Sequence, residues 1–68
     1  MDDETAETAR ALIEQLHGLP VQEAVRIGEA ADFVVQPHGP GAILTADFRP
    51  NRIRLTVVDG IVRSGSYG

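Results

Sequence analysis

The chain has 68 residues, no cysteine and no lysine, and it sets ten acidic side chains against six arginines for a formal net charge of −4. A chain of this length is one domain at most and buries only about 60% of its extended surface, with no disulfide or thiolate metal site to stiffen it. The acidic balance argues against a nucleic-acid footprint. No apolar run approaches the roughly 20 residues that span a bilayer, and the start Asp2-Asp3-Glu4 lacks the basic-then-apolar order of a secretion signal.

As given, the chain reads as a soluble, cytoplasmic monomer without a membrane or nucleic-acid partner. A secreted or periplasmic location is expected instead if a signal was removed.

Residues 1–4 read as a solvated terminus. From Thr5 the pattern turns helical: Ala9, Leu12, Ile13 and Leu16 fall at i, i+3, i+4 and i+7, one apolar stripe. Gly18 stops this helix at about His17, and Pro20 cannot continue it. Pro20 suits the start of a second helix, where its missing N–H is not needed. Val21, Ala24, Val25 and Gly28 mark the face of that helix, which is expected to end between Ile27 and Ala31.

Phe33-Val34-Val35 is a strand signal that Pro37 is expected to end. His38-Gly39-Pro40-Gly41 is turn-rich. Arg52 to Val58 alternates, with Arg52, Arg54 and Thr56 on one face and Ile53, Leu55 and Val57 on the other, the mark of a half-buried strand. Asp59-Gly60 is a strong hairpin signal, and Ile61-Val62-Arg63 reads as a short returning strand. The fold class is α+β: one or two N-terminal helices packed on a small mixed sheet. The stretch from His38 to Asn51 is a long connection for so small a domain, and such connections are usually functional or disordered. Ile43, Leu44 and Phe48 within it argue against a disordered linker.

Catalytic chemistry finds little support. Ser64 and Ser66 have no histidine near them in sequence. His17 reads as a helix-end residue, and His38 as a turn residue. The two lack the paired spacing of a metal site, and Gly39-Pro40-Gly41 lacks the lysine and helix start of a phosphate loop. No enzyme, metal or cofactor is expected.

The informative group is Asp47 with Arg52 and Arg54. At i and i+2 on a strand, both arginines project from one face, and charge-assisted bonds to a carboxylate at Asp47 would tie the loop to the sheet, with the Thr45 hydroxyl a further partner. From spacing alone the plainer reading is stronger: arginines on a solvent-facing strand aid solubility and discourage edge pairing, and exposed ion pairs are worth little.

The run Gly41-Ala-Ile-Leu-Thr-Ala-Asp-Phe-Arg-Pro-Asn-Arg-Ile-Arg-Leu55 resembles the signature of the potato inhibitor I family of serine-protease inhibitors. That family includes eglin-like and barley chymotrypsin-inhibitor-like proteins and a bacterial and fungal branch of small elastase inhibitors. Leu19-Pro20-Val21-Gln22-Glu23-Ala24 is similar to the family's helix start. Asp59-Gly60-Ile61-Val62 is similar to the last hairpin of the bacterial branch, and the final Gly68 is also a family feature. The likeness covers residues 18–68, an inhibitor-like domain, with residues 1–17 as a helical extension of the same compact unit. The chain departs from the pattern in that extension, in having no cysteine pair, and in lacking the tryptophan that plant members show before the helix.

The resemblance implies a long exposed reactive-site loop at residues 41–49 that binds a protease as a substrate would. Ala46 would enter the primary specificity pocket, and Asp47 would follow the scissile bond. Ile43, Leu44 and Thr45 would precede it, and Phe48 and Arg49 would lie on the leaving side. Arg52 and Arg54 would hold Thr45 and Asp47 from below, one of them braced by the Gly68 carboxylate. The small Ala46 suits a subtilisin-like or elastase-like pocket. The alternative is an interaction module that does not inhibit, docking through the loop or through the acidic helical face of Glu7, Glu14, Glu23 and Glu29, since fold does not fix function.

Overall fold

The computed structural model describes residues 3–41 and 47–68. The element order is α1 (Asp3–Leu16), α2 (Val21–Ala30), β1 (Val34–His38), β2 (Arg52–Val58) and β3 (Ile61–Tyr67). The three strands form one sheet in the order β1-β2-β3. β1 and β2 are parallel, and β2 and β3 antiparallel. The α+β expectation holds, with two helices on a small mixed sheet. None of the described helices is long and apolar enough to cross a membrane.

The α1 stripe does what its spacing predicts. Ala9, Leu12 and Leu16 are buried in one cluster with Ala24 of α2, Phe33, Ile53 and Leu55 of β2 and Val62 of β3, and Ile13 packs against it. The segment read as an extension thus supplies three side chains to the common core. Pro20 caps α2 from the position just before its first residue, one place earlier than its expected use within the helix.

Gly28 sits where α2 crosses β1, and a Cβ there would overlap Cγ2 of Val35. This is why a residue of poor helix propensity occupies the buried face: the glycine lets the two backbones approach.

β1 continues beyond its expected end, with Pro37 and His38 paired to Leu55 and Thr56. The reason is position in the sheet. β1 is an edge strand, and the Val34 N–H donates inward to the Asn51 carbonyl at 2.7 Å. Alternation then turns the Pro37 nitrogen to the open edge, where no ladder bond is lost.

β3 is also longer than expected, since Ser64-Gly65-Ser66 pair with Thr56, Leu55 and Arg54. A Cβ at Gly65 would lie 2.9 Å from both Ile13 Cγ2 and Leu55 Cδ2, so this strand position needs glycine for α1 to pack down. The register shifts between Thr56 and Val57, leaving Arg63 as the extra residue of a bulge. At the Asp59-Gly60 turn both residues have positive φ, 53° and 78°, the backbone of the two-residue turn expected there. The Gly18–Val21 connector covers the start of the outer edge of β3. Gly18 N–H donates to Val62 O at 2.8 Å, Val62 N–H to Leu19 O at 2.9 Å, and Val21 N–H to Gly60 O at 2.8 Å.

Parallel neighbours need a connection that returns along the sheet, and this is usually a helix. Here residues 39–51 make the return. They leave β1 where His38 meets Thr56 and re-enter at Arg52, opposite Val34. Among the described residues of this connection there is no helix.

Candidate functional site

The site lies where the return connection meets the sheet. Ile53 and Leu55 face the helices and are buried. Arg52 and Arg54, alternating with them, face the other way. Arg52 does not lie on a solvent-facing strand surface as spacing alone suggested. It is 7% exposed, and its guanidinium is enclosed by acceptors. Nε and one terminal nitrogen donate to the Gly68 main-chain oxygen at 3.1 and 2.7 Å. That same terminal nitrogen donates to the Asp47 main-chain oxygen at 2.6 Å. Arg54 donates to the same Asp47 oxygen at 2.9 Å.

Two guanidinium groups, one buried and one partly buried, therefore converge on one backbone carbonyl of the connection. A buried charge is tolerated only when its donors find partners. The planar fork of arginine reaches two acceptors at once, which an ammonium does less well.

The Asp47 carboxylate plays a lesser part than its sequence position implied. Its oxygens lie 3.1 Å from Arg49 Nε, 3.4 Å from Arg52 and 3.5 Å from Arg54, and the side chain is 43% exposed. Long, half-exposed ion pairs contribute little. The shortest bonds to Asp47, at 2.6 and 2.9 Å, go to its main-chain oxygen, so its anchoring does not rest on the carboxylate alone.

Gly68 is the other fixed point. Its N–H donates to Arg52 O at 2.8 Å, and its oxygen also accepts from the Arg49 N–H at 3.3 Å. Its φ is +104°, and a Cβ there would lie 2.5 Å from the Phe48 ring. Only glycine satisfies both conditions.

Arg49 to Arg52 form a turn closed by Arg52 N–H to Arg49 O at 3.2 Å, with Pro50 at the position where its fixed φ is favoured. Tyr67 was not singled out in the sequence. Its hydroxyl donates to Pro50 O at 2.6 Å, and its ring meets Phe48 edge-to-face at 5.5 Å and 87°. The only available signal was an aromatic residue one position before Gly68.

Of the residues expected at the site, Asp47, Phe48, Arg49, Arg52, Arg54 and Gly68 come together. Ile43, Leu44, Thr45 and Ala46, and with them the expected Thr45 contact, lie outside the described residues. Among the described residues there is no cluster of three acidic or histidine side chains that could hold a metal ion.

No protein-family model matches the chain, and no curated protein matches it either. Among solved structures it is similar to the elastase inhibitor AFUEI, with a TM-score of 0.68 and 22% identity over 98% of this chain and 100% of that one. At that identity the likeness establishes a shared fold: two helices on a three-stranded mixed sheet.

Proposed function

We propose that this protein is a reversible, substrate-like inhibitor of a serine protease with a subtilisin-like or elastase-like pocket, presenting residues 41–49 to the enzyme. The observation that carries the reading is the grip of Arg52 and Arg54 on the Asp47 carbonyl, at 2.6 and 2.9 Å. That grip fixes the chain beside the bond between Ala46 and Asp47, the one the resemblance assigns as scissile. Similarity of fold to an elastase inhibitor supports the same reading.

In this mechanism Ala46 fills the primary pocket, Ile43, Leu44 and Thr45 occupy the cleft before it, and Phe48 and Arg49 lie on the leaving side. A segment already held in its bound conformation loses little ordering entropy on binding. Hydrolysis would leave a carboxylate on Ala46 and an amine on Asp47. The arginines hold Asp47 by its own carbonyl, two bonds from that amine, so the amine stays in place and re-ligation competes with release.

The test is residual activity of subtilisin and of pancreatic elastase incubated with increasing amounts of the protein. Loss of activity near equimolar ratio is expected for at least one of them. Full activity of both at a large molar excess refutes the proposal.

A further inference from the structure

The strand arginines grip Asp47 and Gly68, and the chain between Asp47 and β2 also has to be held. Without cysteine, no disulfide does it. The geometry points to Tyr67 as the positioning residue for this leaving-side arm, an inference that rests on the inhibitor reading above and deepens it.

Two independent contacts converge on that side chain. Its hydroxyl caps the Pro50 carbonyl at 2.6 Å, which fixes the turn through which the arm enters β2. Its ring packs edge-to-face with that of Phe48, centroids 5.5 Å apart, and Phe48 is the second residue after the assigned scissile bond. Phe48 is 48% exposed, so one side of its ring is held while the other is open to a partner. Gly68, next in the chain, closes the arrangement by accepting from the Arg49 N–H at 3.3 Å and by offering no Cβ to the Phe48 ring.

The Tyr67 side chain is itself seated on the sheet and core. It belongs to β3, pairs with Ile53 and packs against the hydrophobic core. The arm is thus tied on one side to the arginines of β2 and on the other to an aromatic ring seated on the core. An edge-to-face ring pair has a preferred geometry as well as apolar contact, so it orients Phe48 as well as retaining it.

Tyr67→Phe removes the cap on Pro50 and keeps the ring, and Tyr67→Val removes both. The first readout needs no protease: amide hydrogen exchange at Arg49, compared with Val62, whose N–H donates to Leu19 on the far side of the sheet. We expect exchange at Arg49 to quicken several-fold in Tyr67→Phe and more than tenfold in Tyr67→Val, with Val62 changed less than twofold in Tyr67→Phe. Equal acceleration at both amides means a merely structural role and overturns the proposal, as does no change at Arg49.

The second readout is the rate of cleavage between residues 46 and 47 in the protease complex. It should rise several-fold in Tyr67→Phe with the association rate unchanged, and an unchanged cleavage rate counts against the positioning role. A wild-type chain that inhibits neither protease sinks the functional reading alone, because the exchange comparison still decides what Tyr67 does. Should Tyr67→Val not fold, Tyr67→Phe, which differs by one oxygen atom, decides both readouts.

Discussion

Arg52→Ala is the most informative single change, because its cost follows from the geometry. The side chain makes three bonds of 3.1 Å or less, two of them to the one Gly68 oxygen and one to the Asp47 carbonyl. The contact with the Asp47 carboxylate, at 3.4 Å, is too long to count for much. Two effective charge-assisted bonds at about 1.5 kcal/mol each give about 3 kcal/mol. The Asp47 carbonyl keeps Arg54, and the Gly68 oxygen keeps the Arg49 N–H, so neither acceptor is wholly orphaned and the figure should not run much higher.

Against a total stability on the order of 3–10 kcal/mol for a chain of this length, that loss should lower the thermal midpoint by roughly 10–20 °C. The assay is thermal unfolding by circular dichroism, with Asp47→Ala and Arg49→Ala as controls. Arg49→Ala removes an exposed ion pair, and Asp47→Ala removes that pair and two longer ones to Arg52 and Arg54. Each should cost about 1 kcal/mol, less than Arg52→Ala. The reasoning fails if Asp47→Ala costs as much as Arg52→Ala, because the carboxylate and not the backbone carbonyl would then be the anchored group.

Gly28→Ala should destabilise by about 1–3 kcal/mol in urea, against its favourable helix propensity, because the new methyl overlaps Val35. Combining it with Val35→Ala should recover part of the loss, and strict additivity would show that the two sites do not touch. For the inhibitor reading, Ala46→Pro should abolish inhibition of a protease that the wild type inhibits, and retained inhibition would mean that the reactive bond is wrongly assigned. Arg54→Ala, which removes one of the two donors to the Asp47 carbonyl, should yield an inhibitor cut faster within the complex, as followed by mass spectrometry. Unchanged resistance to cleavage would remove Arg54 from the bracing role.

Much of this architecture was legible in the residues. The spacing of Ala9, Leu12, Ile13 and Leu16 marked the buried face of α1, Asp59-Gly60 marked the hairpin, and the alternation after Asn51 marked the two faces of β2. Ser64-Gly65-Ser66 carried no such signal. Small polar residues have low strand propensity, and they are extended because β2 pairs with them and α1 needs the space over Gly65. Pro37 misled because a proline ends a strand only where its missing N–H faces a partner, and nothing local reveals which edge is open. At the site, the pairing of Arg52 with Arg54 on one face could be read from i, i+2. The burial of Arg52 could not, because it comes from Gly68, sixteen residues away. The anchoring of Asp47 through its backbone could not be read either, since side-chain chemistry points first to the carboxylate.

The return of residues 39–51 between two parallel neighbours has a consequence for kinetics. The β2–β3 hairpin joins residues close in sequence and can form within microseconds. Pairing β1 with β2 must first close a long segment, and that entropy is spent before the parallel contacts reward it. The contacts of β1, such as the packing of Val35 on Gly28 and its pairing with Ile53, belong to that later closure. Substitutions there should therefore speed unfolding while leaving the folding rate nearly unchanged, whereas substitutions at the hairpin should slow folding.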